Sequence, residues 1–263
     1  MRLRAAVGFA GITFRNFWAG KRSVAALLLL LLPAVIVGLV ALTSSRVRGT
    51  FLFHGVAFNY SLWFMLYLLT LIYGIALTSG EIEEGTVGYL YLGALPRWQI
   101  VIIQIAVSAL VLTALAGLSV LLTGLAASLS DQGAPEDLWR DVWGFTLVAG
   151  IGILVSLAFY ASCGLAFRSP MPAAVLATFF WELMVTIMPV KFAAWTVTNN
   201  LRALMLPLVF DGQPGRWYRY KQDAYEMPSY GAAAMYLSVL AGLFLVTAMV
   251  AAMNRSIQGK EAR

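Results

Sequence analysis

The chain has 263 residues, 61% hydrophobic and 11% charged, with a net charge of +6. A charged fraction so far below the roughly 25% of soluble domains excludes an ordinary water-soluble globule. One cysteine, Cys163, rules out an internal disulfide, and one histidine, His54, rules out most metal and haem centres, which need two or more nitrogen or sulfur ligands. The positive charge has a sufficient cause in the basic flanks of membrane helices, so nucleic acid is not expected as a partner.

In chain order, residues 1–23 come first, carrying Arg2, Arg4, Arg15, Lys21 and Arg22 and no acid. Leu3, Val7, Ala10, Phe14, Phe17 and Trp18 recur at spacings of three and four with arginines beside them, while Phe9 and Ile12 fall off the stripe. This predicts an amphipathic helix in the membrane interface; the plain alternative is a basic leader that only satisfies the positive-inside bias. The apolar run that follows exceeds the roughly 7–15 residues of a signal peptide, so a retained first span is expected.

Six apolar blocks follow: Val24–Thr43, Val56–Ser79, Ile100–Leu129, Val142–Phe167, Met171–Val190 and Gly231–Met253. Twenty helical residues reach about 30 Å, the thickness of the bilayer core. Lipid offers the backbone no hydrogen-bond partner, so each block is expected to be a helix. The fold class is therefore an all-α polytopic membrane protein with six transmembrane helices in one domain, 1–263. An even number of spans puts both termini on one side. Lys and Arg number ten on that side against eight on the other, but the acid-free arm before the first span places both termini in the cytoplasm.

The connections at 44–55 and 130–141 are short and polar, and 168–170 is a hairpin where Pro170 and Pro172 break the helix. The connection 191–230 is forty residues long, unusual without structure of its own. Its Phe192–Phe210 stretch is apolar enough to dip back into the membrane as one or two short helices. Arg216-Trp217-Tyr218-Arg219-Tyr220-Lys221 then forms either an aromatic and basic belt at the headgroups or a docking patch for another protein or an anionic ligand.

Inside the blocks Glu182 is the only charge. A carboxylate at mid-membrane costs about 2.5–3.5 kcal/mol on insertion scales, so Glu182 should face a cavity, a partner or the bundle interior. Thr178, Glu182 and Thr186 stand at spacings of four, and Asn59, Trp63, Tyr67 and Thr70 share a face of the second span. These two stripes are candidates for a substrate path; ordinary interhelical hydrogen bonding is the alternative. Ala106, Ala109, Thr113, Ala116 and Gly117 on the third span, Gly152 and Ser156 on the fourth, and Ser238 and Ala241 on the sixth are expected at close helix contacts.

Between the second and third spans three carboxylates run against the inner-face charge bias, in Ser79-Gly80-Glu81-Ile82-Glu83-Glu84-Gly85-Thr86. Gly85 can end a helix and Thr86 can cap the next. A short helix from Val87 to Gly93 would then present Val87, Leu90, Tyr91 and Ala94 on one face until Pro96 starts the third span. Here the sequence resembles the permease subunits of ABC-2 type ATP-binding-cassette exporters, whose segment after the second span reads Glu-x-Glu-x-Gly-Thr, then leucines, then a Pro near Arg-Trp. Glu81, Glu83, Gly85, Thr86, Arg97 and Trp98 match, with twelve residues from Gly85 to Arg97.

The resemblance implies that segment 80–97 is a cytoplasmic coupling helix, with Glu81, Glu83, Glu84, Gly85, Thr86, Tyr89, Leu90 and Arg97 docking into a groove on a separate ATPase. It also implies a prokaryotic plasma (inner) membrane protein, a second permease copy or homologue, and two ATPase copies. The arm 1–23 becomes a connecting helix, and re-entrant helices lie in the outer loop 191–230, which is also a possible seat for an extracytoplasmic partner. Cofactors are expected to be none on this chain: Gly259-Lys260 is followed by Glu261 and makes no phosphate loop, so ATP and Mg belong to the partner. An intramembrane protease is the enzyme rival through Glu83-Glu84, but Gly88 stands where its motif needs Arg, and a His pair is lacking. Outside the enzymes, an ion-coupled carrier or channel and a non-transport scaffold remain as alternatives; carriers often carry inverted repeats, which this sequence lacks.

Overall fold

The structure is a computed structural model that describes residues 2–18, 21–43, 48–77, 96–130, 137–167, 169–185, 191–209 and 228–254. Every regular element among these residues is helical. In chain order they are α1 (Arg2–Trp18), α2 (Lys21–Thr43), α3 (Gly49–Ile75), α4 (Arg97–Ala127), α5 (Leu138–Ala166) and α6 (Pro170–Ala177). A 3₁₀ turn at Lys191–Trp195, α7 (Val197–Val209) and α8 (Tyr230–Asn254) complete the set.

Five of these helices are long and apolar enough to cross a membrane: Ser23–Thr43, Gly49–Ile75, Arg97–Ala127, Leu138–Ala166 and Tyr230–Met253. Four follow expected blocks closely. The exception is α3, which starts at Gly49 rather than Val56 and takes up much of the predicted polar loop 44–55. The expected fifth span, 171–190, is represented by α6, its continuation in a widened π-helical stretch Thr178–Met184, and Val185; the remaining five positions lie outside the described residues. Pro170 is the first residue of α6, and with Pro172 it occupies the first turn, where a missing N–H costs nothing. A second π-helical stretch, Ala57–Met65, lies inside α3, where the Leu66 N–H reaches back five residues to the Ser61 carbonyl.

At the centre stands α5, packed against α3, α4, α7 and α8, with 61% of its most apolar window buried; for α2 and α8 the figures are 28% and 17%. The central and peripheral helices differ in what they offer a neighbour. On α4 and α5 a reciprocal exchange allows close approach: a Cβ on Gly117 would stand 2.9 Å from Thr146 Cγ2, and one on Gly150 would stand 2.9 Å from Thr113 Cγ2. Ala109, Ala116 and Ser156 are buried as expected of contact residues, whereas Ala106 and Ser238 are exposed. Ser238 instead returns its hydroxyl to the Ala234 carbonyl of its own helix at 2.8 Å.

The arm is helical, and it packs on α4 through a face that overlaps the predicted stripe at Phe17. Phe9, Thr13 and Phe17, four residues apart, are buried, and Phe17 stacks on Tyr73 at 4.2 Å and 9°. Val7 and Phe14 of the predicted stripe remain 67% and 50% exposed. The apolar surface of α1 is thus wider than one stripe, and the bundle covers only part of it. At the start of α3, His54 Nε2 meets Asp141 Oδ2 of α5 at 2.6 Å, beside the edge-to-face rings of Phe53 and Phe145.

Candidate functional site

The first four N–H groups of a helix have no partner within it, and in an apolar interior each orphan is costly. Helix α7 begins in such a place, and every one of those groups finds an acceptor. Glu182 Oε1 accepts from the Val197 N–H at 3.0 Å, and Oε2 from the Thr198 N–H at 3.1 Å. Thr196 is the cap residue: its own N–H donates to the Ala193 carbonyl at 3.2 Å, its Oγ1 accepts from the Asn199 N–H at 3.3 Å, and its carbonyl accepts the first bond within the helix, from the Asn200 N–H at 3.3 Å. Asn199 and Asn200 then donate to the carbonyls of Ala193 and Ala194 at 2.5 and 2.8 Å, tying the 3₁₀ turn to the helix.

Two hydroxyls complete the surroundings of Glu182. Tyr67 of α3 lies 2.8 Å from Oε2, Thr198 Oγ1 lies 3.1 Å from it, and the two hydroxyls are 2.9 Å apart. Two protons serve these three contacts, so one of the three is without a proton at any moment. Two backbone N–H groups and two hydroxyls surround Glu182: ionised, it accepts from them, and neutral, it would supply the proton that the ring of three contacts lacks. The helix N-terminus adds partial positive charge on the same side.

Above this polar floor is a cavity of about 200 Å³. The buried side chains Tyr67, Tyr160, Thr178 and Glu182 form its inner part. Its wall includes Trp181 and Trp195, 46% and 62% exposed, which places them at its mouth. Tyr236 of α8 also lines it and donates its hydroxyl to the Trp195 carbonyl, holding the turn against α8. Tyr160 and Thr178 share a hydrogen bond of 2.6 Å between α5 and the π-helical continuation of α6.

Of the residues predicted for a substrate path, Tyr67, Thr178 and Glu182 come together on this cavity. Asn59, Trp63 and Thr70 do not line it. Asn59 donates to the Gly55 carbonyl at 2.9 Å and Thr70 to the Leu66 carbonyl at 2.7 Å, each within its own helix. Trp63 serves a different buried charge: the guanidinium carbon of Arg202 lies 5.5 Å from its ring centroid and 5.2 Å from that of Phe58. The docking candidate Arg97 is the first residue of α4, directly after Pro96 in extended conformation. Glu81, Glu83, Glu84, Gly85, Thr86, Tyr89, Leu90, Thr186 and the Arg216–Lys221 patch lie outside the described residues.

Sequence reasoning did not single out Thr196, Thr198, Asn199, Asn200 or Arg202, all buried. The available signal was the polar run Thr196-Val197-Thr198-Asn199-Asn200 within the otherwise apolar 192–210 stretch, a composition suited to capping. No protein-family model matches the chain, and no curated protein matches its sequence.

Proposed function

We propose that this chain is the membrane-spanning permease subunit of an ABC-2 type ATP-binding-cassette exporter. It would work in a prokaryotic plasma membrane with a second permease copy or homologue and two copies of a separate ATPase. The observation that carries the reading is Glu81-x-Glu83-x-Gly85-Thr86, placed between two span-length helices and followed twelve residues after Gly85 by Arg97-Trp98 at the opening of α4. An acidic segment there suits docking on a basic groove of a motor domain. In this reading α6 with its π-helical continuation is the fifth of six spans, both termini are cytoplasmic, and α1 is the interfacial connecting helix.

The same reading makes the 3₁₀ turn and α7 re-entrant. A Cβ on Gly152 would stand 2.6 Å from Leu201 Cδ1, and one on Gly144 would stand 2.6 Å from Val209 Cγ2. Thus α7 runs antiparallel to α5 along the middle of that long helix, a position that supports entry into the membrane from one side. The full N-terminal capping by Glu182 and Thr196 supports it too, because lipid leaves a helix end no other acceptors. Tyr67, Thr178 and Glu182 belong to the transport path in this scheme.

Co-purification of the full-length chain with candidate ATPase subunits tests the assignment. The wild-type chain should retain its ATPase, Glu83→Ala should weaken the association, and Gly85→Pro should abolish it, with all three inserted equally in the membrane. Retention unaffected by both changes would remove the coupling assignment.

A further inference from the structure

We infer that the cavity between α3, α5, α6 and α8 is a binding site for an organic cation carrying a single aromatic ring, a benzyl-type quaternary ammonium. Half of its fourteen described lining residues are aromatic, from Tyr67 and Tyr160 at the inner end to Trp181 and Trp195 at the mouth. Aromatic faces attract cations through their quadrupole, Trp most strongly, and quaternary ammonium groups are a recurrent guest of such cages. An aromatic lining alone would also suit a neutral guest.

Charge decides between the two. Glu182 is the one acid among the described lining residues, and no Lys, Arg or His is among them, so a bound cation would be the charge that favours its ionised form. Arg202, which follows on α7, is held over Phe58 and Trp63, neither of which lines the cavity. Each carboxylate oxygen has about two acceptor sites. Oε2 is crowded by the Thr198 N–H and two hydroxyls, whereas Oε1 accepts the Val197 N–H and keeps a second site. A quaternary ammonium needs no hydrogen bond and gains from the field of the anion without displacing the donors that cap α7. That distinguishes it from a primary ammonium, whose three N–H groups would find a single free site, on Oε1.

Size limits the guest. A dry cavity of about 150 Å³ accommodates benzene, so the 200 Å³ here admits one ring and a compact head but not a polycyclic dye. The exposed tryptophans at the mouth give a membrane-partitioned amphiphile a way in, ring and ammonium together.

The test uses the full chain in lipid nanodiscs, titrated with benzyltrimethylammonium, with its uncharged isostere neopentylbenzene and with benzenesulfonate, read by tryptophan fluorescence and saturation-transfer NMR. The cation should bind at least roughly tenfold more tightly than the isostere, and the anion should not bind. Glu182→Gln should erase that preference while leaving neopentylbenzene binding in place. Trp195→Leu, which spares the cap of α7, should weaken the cation several-fold; it decides the matter if Glu182→Gln fails to fold. Equal affinity for cation and isostere, no binding of the cation, or an unchanged cation affinity in Trp195→Leu would overturn the site. No ATPase enters the measurement, so a negative result here leaves the permease assignment standing, and loss of that assignment leaves the site.

Discussion

Glu182 and Arg202 are buried charges at two places along one short helix, 8% and 6% exposed, and the protein accommodates them by different means. Glu182 sits at the N-terminus of α7, where two N–H groups and two hydroxyls converge on its oxygens. Arg202 lies one turn further along, over the rings of Phe58 and Trp63. The carboxylate answers a demand that the backbone makes whatever the side chains are, because the free end of a buried helix requires acceptors. The guanidinium answers no such demand; it is weakly hydrated and planar, so it tolerates an aromatic surface. A widened helical stretch serves each charge: Phe58 and Trp63, beneath Arg202, lie in Ala57–Met65, and Glu182 itself lies in Thr178–Met184. A π turn shifts a side chain off the row it would hold in a regular helix, which lets α3 and α6 aim these groups at α7.

The comparison breaks most sharply at Glu182. Glu182→Leu leaves the Val197 and Thr198 N–H groups without their acceptor and the Tyr67 hydroxyl with Thr198 Oγ1 alone, and we expect a loss of about 3–5 kcal/mol in unfolding stability. Glu182→Gln keeps one oxygen but turns an NH₂ toward donors, with an expected cost of about 2 kcal/mol. Arg202→Met takes a cation from two rings that remain a good apolar surface, and a smaller cost than that of Glu182→Leu is expected there. Denaturant or thermal unfolding in one detergent checks all three. An Arg202→Met cost equal to that of Glu182→Leu would show that α7 is held by its cation as firmly as by its cap.

Some of this was readable in advance, and the reasons are particular. Blocks such as Val24–Thr43 and Val142–Phe167 announce long helices because the absence of charge over twenty residues has one common cause. Glu182 stood out for the same reason, as a single charge where charge is expensive. Its role as a cap was not readable, because its partners Val197 and Thr198 lie fifteen and sixteen residues on, beyond any local spacing rule. The stripe Asn59, Trp63, Tyr67, Thr70 was drawn with regular helical geometry, and Asn59 and Trp63 fall in the π-helical stretch that breaks this geometry. Trp63 accordingly goes to Arg202 and Tyr67 to Glu182. On α1 the stripe omitted Phe9, since hydrophobic spacing cannot say which part of a broad apolar surface meets protein.

The smallest effects sharpen the picture of the Glu182 floor. Thr70→Ala removes a hydroxyl that only returns to its own helix, and a change within about 0.5 kcal/mol is expected. Tyr67→Phe removes one of the four donors around Glu182, and because Thr198 remains to donate, the expected cost is about 1 kcal/mol. A double-mutant cycle between Tyr67→Phe and Glu182→Gln then asks where the tyrosine proton resides. A coupling of about 1 kcal/mol places it on the carboxylate, in line with the 2.8 Å contact. A coupling near zero would instead assign that proton to the 2.9 Å contact with Thr198, leaving the carboxylate to the two backbone N–H groups and the threonine hydroxyl.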